Sequence, residues 1–399
     1  MSENNSSTKN THIIISDSTK DRYATFGLIS WWKQEIVRNA TVMVVGAGAL
    51  GNEVLKNLAL MGVGKIFLLD FDIVEYANLS RSILFRASDN GRKKAVVAAE
   101  AIRELNPDVK VQGFVGNVVH DLGLGVYRRM DIVIGCLDNR EARLAVNQAC
   151  WHLNKPWVDG AIQELLGMAR VFWPNRGACY ECTMTDEDYR IISERESCQL
   201  LANRSFIEGN VPTTPTISSI IAGIQTQEAL KILHGLEVNC GQAIVFNGLN
   251  NEFFPTQYSE KEGCLSHEIY TDIIELQGAT ASNTTLKNLL DVVHKTFSKE
   301  ASLLIPAFVT KATCSQCSGV RNIMRPLFQL NSLDVHCEKC DEPMRFELYE
   351  KVTGGESFMH FTLDKVGIPP LDILAARTDD WQFKFFELTG DKETFFKFQ

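Results

Sequence analysis

The chain lacks any apolar run long enough to span a bilayer, and its N-terminus lacks the basic-then-apolar order of a secretory leader. A helical membrane protein and an exported, disulfide-stapled one are thereby set aside, and a cytoplasmic location is expected. An excess of positive charge is also missing. The 40 Lys and Arg stand against 49 Asp and Glu, a formal net charge of −9, so neither nucleic acid nor a membrane surface is expected as a partner. The phosphate loop G-x-x-x-x-G-K-[ST] is absent, because Ile66 follows Gly64-Lys65. No internal repeat is visible.

What remains is an ordinary globular composition, 45% hydrophobic over 399 residues, enough for one large α/β domain and a smaller one. Eleven cysteines are expected as reduced thiols that bind metal or act as nucleophiles. Residues 1–11, polar and rich in Ser and Asn, are expected to be a disordered tail.

Strand candidates at 41–45, 66–69, 109–114, 131–135 and 156–159 alternate with helix candidates at 50–61, 91–105 and 140–153. This alternation predicts an α/β fold, a Rossmann-like, mainly parallel sheet with helices on both faces and a ligand at the carboxyl ends of its strands. Runs at 167–173 and 242–247 read as an added antiparallel portion, and 216–234 as a buried apolar helix. Past about residue 270 the pattern changes to two Cys pairs, a short helix at 284–296 and strand-like runs. Residues 12–270 are read as the main domain and 271–399 as a small, β-rich C-terminal domain.

Val42–Gly51 carries the strongest local signal: a buried strand, then Gly46, Gly48 and Gly51 in the spacing G-x-G-x-x-G, then a helix start. Gly46 permits the turn, Gly48 lets a phosphate approach the backbone, and Gly51 lets helix and strand pack closely. Asp70 ends the second strand 24 residues after Gly46, where a carboxylate can accept from ribose hydroxyls. A nicotinamide dehydrogenase fits equally well to this point. Asp72, Asn78-Leu-Ser-Arg81, Lys94 and Leu137-Asp138-Asn139 tip the balance. Two cations and an extra carboxylate at the strand ends exceed the needs of a dinucleotide. They suit a triphosphate, with Arg and Lys on phosphate and Asp on Mg2+.

Taken together, Gly46–Gly51, Asp70-Phe-Asp-Ile-Val-Glu75, Asn78-Leu-Ser-Arg81, Lys94 and Cys136-Leu-Asp-Asn139 resemble the ThiF/MoeB/HesA superfamily that includes the ubiquitin-activating enzymes, over roughly residues 20–267. The resemblance implies Mg2+ and ATP as cofactors, and adenylation of the C-terminal glycine carboxylate of a ubiquitin-like β-grasp protein. It implies ribose contact for Asp70, phosphate contacts for Asn78, Arg81 and Lys94, and a magnesium ligand in Asp138. Arg22 matches the arginine that family members insert into a partner subunit's site, which implies a homodimer. The chain reads Gly-Ala-Leu-Gly and Asn-Leu-Ser-Arg-Ser where the family usually has Gly-Gly-Leu-Gly and Asn-Leu-x-Arg-Gln.

Cys179-Tyr-Glu-Cys182 matches half of the family's structural zinc site, and the place of the second half holds Cys264-Leu-Ser-His267. The resemblance thus implies a Cys179, Cys182, Cys264 and His267 zinc set. Independently of it, Cys314-x-x-Cys317 and Cys337-x-x-Cys340, with 19 residues between the pairs, read as a zinc ribbon. Two structural Zn2+ sites are expected.

Cys136 and Cys150 fall on strand and helix patterns, and Cys240 lies alone in a turn. Cys198 lies in a polar segment between Arg195 and Arg204, within a crossover near 183–215, and is the candidate thioester nucleophile. Val211-Pro-Thr-Thr214 is similar to a motif of the compact activating enzymes of ubiquitin-fold modifiers, although 13 residues separate Cys198 from Val211. The compact size and appended zinc modules fit a bacterial-style conjugation system. Thr362-Leu-x-x-x-Gly-Ile-Pro369 is loosely similar to the C-terminal ubiquitin-fold domain that recruits a conjugating enzyme, which places that domain at 355–399. The alternatives are a sulfur-carrier adenylyltransferase, disfavoured by the lack of a rhodanese-like tail, and a non-catalytic partner subunit.

Overall fold

The computed structural model describes residues 21–196 and 212–399. The tail expected at 1–11, Cys198 and Arg204 lie outside the described residues.

Strands β1 (Thr41–Val45), β2 (Lys65–Leu69), β3 (Lys110–Phe114), β4 (Ile132–Gly135) and β5 (Trp157–Gln163) form a parallel array in the order β3-β2-β1-β4-β5. β6 (Leu166–Phe172), β7 (Gln242–Asn247) and β8 (Glu252–Gln257) continue the sheet antiparallel. Around it lie α1 (Gln34–Asn39), α2 (Ala49–Met61), α3 (Lys94–Leu105), α4 (Leu124–Arg128), α5 (Arg140–His152), α6 (Asp186–Glu196) and α7 (Pro215–Leu233). The sheet is covered on both faces, so β1 is apolar throughout. Val42 and Val44 enter a core with α2, α3 and α7, whereas Met43 and Val45 enter a core with α4 and α5. The fold is the expected α/β class.

Local differences have local causes. The third helix starts at Lys94 and not at 91, because Gly91 takes φ +84° and Lys93 pairs back with Ile73. Strand β5 runs on to Gln163, since its continuation pairs with β6.

A second sheet contains β9 (Ile274–Leu276), β10 (Ser302–Cys314), β11 (Val320–Pro326), β12 (Met344–Val352), β13 (Ile373–Arg377) and β14 (Phe383–Leu388), with α8 (Leu286–Thr296) packed on it. β13 pairs with β10 and β14 with β9, so residues 355–399 contribute strands to a sheet that begins at Ile274.

Polar and aromatic contacts join the two sheets. Glu387, fully buried, accepts from Arg128 of α4 and from Arg129 just after it. Tyr270 stacks between His152 and Phe385, with ring centroids 4.2 and 3.8 Å away. The C-terminal residues return to the first sheet. Phe395 and Phe396 lie against Phe67, and the Val111 N–H donates to the Gln399 carbonyl at 2.9 Å. They cover a face that α4, with only five residues, leaves open.

The Asp372 carboxylate accepts from the Leu124 N–H at 2.9 Å, and burial in this junction pushes its pKa up from 3.8 to about 6. The folded state therefore holds this proton more tightly than the unfolded chain. Asp372 is expected to cost about 1–2 kcal/mol of stability as pH rises from about 4 to about 6. Urea unfolding of the wild type and of Asp372→Asn across that range checks this; the pH slope should be shallower in the variant.

Candidate functional site

The strand order reverses between β2-β1 and β4-β5, which opens a crevice at the carboxyl ends of β1 and β4. The turn Gly46–Gly48 sits there. Gly46 has φ +98°, and a Cβ on it would run into the Cys136 carbonyl. A Cβ on Gly51 would run into the Gly46 carbonyl, so the start of α2 packs directly on the turn. Gly48 faces open space, which leaves room over the N–H groups of the first turn of α2 for an anionic group.

Asp70 closes one side of the crevice. One carboxylate oxygen accepts from the Ala47 N–H at 2.7 Å and the other from the Asp72 N–H at 2.8 Å. Burial raises its pKa, and the neighbouring Lys94 ammonium opposes that rise. Lys94 is ion-paired with Asp72 at 2.9 Å. Asn78 caps a local turn, its side-chain oxygen accepting from the Glu75 N–H at 3.0 Å, and Arg81 donates to the Ala77 carbonyl at 2.8 Å. Across the crevice Asp138 is exposed, and Asn139, not Asp138, caps α5 by accepting from the Ala142 N–H at 2.8 Å. The Leu137 carbonyl accepts from Arg143. The crevice thus offers cations and carboxylates on one side of a glycine turn and an exposed carboxylate on the other, a set that could hold a nucleotide and a divalent cation.

Arg22 is not brought to this crevice within one chain. Its guanidinium contacts the Leu105 carbonyl at 3.4 Å and Asp108 at 4.0 Å, at the opposite edge of the sheet.

Two further groups could each hold a metal ion. In the first, Cys179 Sγ lies 3.7 Å from Cys182 Sγ and 3.6 Å from Cys264 Sγ, and Cys182 Sγ lies 3.4 Å from His267 Nε2. A tetrahedral site with Zn–S of about 2.3 Å places sulfurs about 3.8 Å apart, close to these values. His267 turns its Nδ1 toward Glu260 at 3.3 Å and stacks on Trp151, the kind of carboxylate partner that orients a histidine ligand. In the second group, Cys314 pairs with Cys340 at 3.4 Å and Cys317 with Cys337 at 3.5 Å. Backbone N–H groups of Lys339 and Cys340 lower the Cys337 thiol to about 6, which favours the thiolate a metal requires.

Sequence reasoning missed several residues that build the site. Asn52, fully buried, donates to the Ala47 and Gly48 carbonyls at 2.7 and 3.0 Å and accepts from the Leu84 N–H at 2.9 Å. It fastens the glycine turn to the Asn78–Leu84 stretch. Asp159, fully buried, accepts from Arg143 and Arg170, and Gln225 donates to the Gly135 carbonyl at 2.8 Å. A polar residue in the first turn of the helix, directly after Gly51 of the glycine motif, was the available signal for Asn52.

The ThiF family model matches residues 20–266. The chain belongs to the ThiF family. Ubiquitin-like modifier-activating enzyme 5 of Dictyostelium discoideum is 32% identical over 213 residues, which cover 50% of this chain and 54% of that protein. The protein of the same name from Arabidopsis thaliana is 31% identical over 242 residues, 56% of this chain and 53% of that one. The chain spans about half the length of these curated relatives. Among solved structures, E. coli MccB with succinimide has a TM-score of 0.52 at 21% identity, covering 62% of this chain and 74% of that one. The microcin C7 biosynthetic enzyme MccB in complex with N-formylated MccA has a TM-score of 0.52 at 20% identity, covering 63% and 76%. At these identities the structural likeness shows the fold alone.

Asn52→Ala would strand the buried Leu84 N–H and free two turn carbonyls. It is expected to destabilise the chain by about 2–3 kcal/mol, measured as a drop in the urea midpoint at unchanged slope.

Proposed function

We propose that this chain activates a ubiquitin-like β-grasp protein that ends in glycine. Its carboxylate attacks the α-phosphate of ATP, the bond from that phosphorus to the bridging oxygen breaks, and pyrophosphate leaves. The thiolate of Cys198 then attacks the acyl carbon, the bond to AMP breaks, and a thioester forms for hand-over to a conjugating enzyme. The carrying observation is the pairing of Asp70 with the Ala47 N–H beside Lys94, at the switch point of a ThiF-family sheet. The names of the relatives support the substrate class.

In this reading Asp70, with lone pairs beyond those the two N–H groups use, accepts from ribose hydroxyls. Lys94, released from Asp72, joins Arg81 and Asn78 on the phosphates, where they stabilise charge that builds on the pyrophosphate. Asp138 and Asp72 would hold Mg2+, which when bound would neutralise phosphate charge. Arg22 of the partner subunit completes the site in a homodimer; its place at the far edge of the sheet within one chain supports a role in trans. Zn2+ in the two cysteine groups has a structural role, since each group offers four ligands. The free thiols support a reducing location, the cytoplasm.

ATP–pyrophosphate exchange that depends on a glycine-ended β-grasp protein tests the reading. Lys94→Ala is expected to lower exchange by about 100-fold. Cys198→Ala is expected to keep exchange and lose the reducible enzyme adduct. An adduct that survives Cys198→Ala shows another nucleophile, and binding of a nicotinamide dinucleotide in place of ATP overturns the whole reading. Metal analysis of purified chain is expected to find two zinc equivalents, falling to one in Cys317→Ser.

A further inference from the structure

One carboxylate and two guanidiniums lie buried together beside the carboxyl end of β4. Asp159 of β5 is in register with Gly135, the last residue of β4, on one side and with Arg170 of β6 on the other. Arg170 donates to one Asp159 oxygen from Nε, at 3.0 Å, and from Nη2, and its guanidinium lies over the Tyr180 ring, 5.1 Å from the centroid. Arg143, in the first turn of α5, donates from Nε to the other oxygen at 3.1 Å. Asp159 is fully buried, and Arg143 and Arg170 are 9% and 8% exposed.

These charges do not balance. Among the described residues Asp159 is the one acid that either guanidinium contacts, so the group carries a surplus positive charge. Arg170 by itself gives Asp159 an ion pair and two hydrogen bonds. Burying a further cation costs several kcal/mol, and Val146 of α5 and Trp157 of β5 already share an apolar core. What Arg143 adds lies in its remaining donors. Nη2 donates to the Leu137 carbonyl, and to that of Gly160 at 3.3 Å. It thus ties the backbone just before Asp138 to the strand behind it. The flanking residues are held as well: the Cys136 N–H donates to the Val45 carbonyl at 2.8 Å, and Asn139 caps α5. Asp138 is the exposed member of the stretch 136–139, whose other three residues are fastened.

We propose that Arg143, itself held by Asp159, is a positioning residue for Asp138. It fixes the backbone that carries this carboxylate, and thereby sets the affinity of the crevice for a divalent cation. This rests on the activation reading above, in which Asp138 would hold Mg2+. Among the described residues no hydrogen bond joins Arg143 to the glycine turn, Asp70 or Lys94, so affinity for ATP without the cation does not depend on it.

The experiment compares the full wild-type chain with Arg143→Met and Arg143→Lys. Asp159 keeps Arg170 in both variants, so no buried acid is left unpaired. Mn2+ affinity of the ATP-loaded chain is read by electron paramagnetic resonance, and ATP affinity by calorimetry without added Mg2+ or Mn2+. Amide hydrogen exchange over 136–142 is followed in the ligand-free chain. The Mg2+ concentration for half-maximal pyrophosphate exchange is measured with a glycine-ended β-grasp protein. Arg143→Met is expected to bind Mn2+ about ten-fold more weakly, the loss that removal of an outer-shell partner brings. Its half-maximal Mg2+ should rise by a similar factor. Residues 136–142 should exchange faster while β4 stays protected, and cation-free ATP affinity should stay at the wild-type level. Lysine keeps a charge beside Asp159 but lacks the planar fork that spans acid and carbonyls, so Arg143→Lys should shift in the same direction. It decides alone should Arg143→Met not fold. Unchanged Mn2+ affinity, unchanged protection of 136–142, or a parallel fall in cation-free ATP affinity overturns the proposal, and so does full function in Arg143→Lys. A wild-type chain that binds Mn2+ with ATP but shows no pyrophosphate exchange overturns the activation reading instead, and the Mn2+ and protection data still decide the role of Arg143. A chain that binds no ATP overturns both.

Discussion

The buried carboxylate of Asp70 and the N–H of Ala47, 2.7 Å apart, are the contact on which the crevice depends. A carboxylate in a protein interior is tolerated only where donors replace the water it gives up. Here the donors are the glycine turn itself and the Asp72 N–H. The same bond that satisfies the acid therefore holds the end of β2 against the turn after β1. The backbone continues the stitch, with the Gly46 N–H donating to the Leu69 carbonyl and the Asp70 N–H to that of Phe114. Three strand ends are drawn level, and side chains that leave them meet over one opening. Asn52 does the same from below, tying the turn to the Asn78–Leu84 stretch.

The first cysteine group belongs to this construction as well. Its two halves are 85 residues apart in sequence, and they meet because α5 offers Asn147 and Trp151 to both sides: Asn147 to Tyr180 and Ser266, Trp151 to the His267 ring. The helix that follows Asp138 at the crevice thus also shapes the candidate metal-ligand set at its other end. The second sheet adds a further constraint through Glu387, Tyr270 and the returning C-terminal residues. It is joined to the first by buried charge and stacked rings rather than by a tether alone.

Much of the main sheet was legible because its strands are buried on both faces, which leaves uninterrupted apolar runs such as Val42–Val45 and Ile66–Leu69. The second candidate metal group was legible because two C-x-x-C pairs, each presenting two sulfurs from one tight turn, lie close in sequence, whereas the first, whose halves are far apart, was read from the family resemblance. The start of α3 was misread by three residues, since helical propensity at 91–93 yields to a glycine at φ +84° and a bridge to Ile73. Asn147, Ser266, Glu181 and Asp159 were invisible as a class. Buried polar residues carry no periodicity, and their partners lie on other elements.

The sequence alone determined the α/β alternation, the glycine turn and the side-chain types around it, because these follow from local period, local sterics and residue type. Tertiary structure alone decided which polar groups are neighbours: Asp70 with Ala47, Glu181 with Tyr189, and Arg22 away from the crevice of its own chain. The physical reason is that a hydrogen bond is directional and short. Its existence depends on where the packed helices and strands place each atom to within about an ångström, which no pattern along the chain encodes.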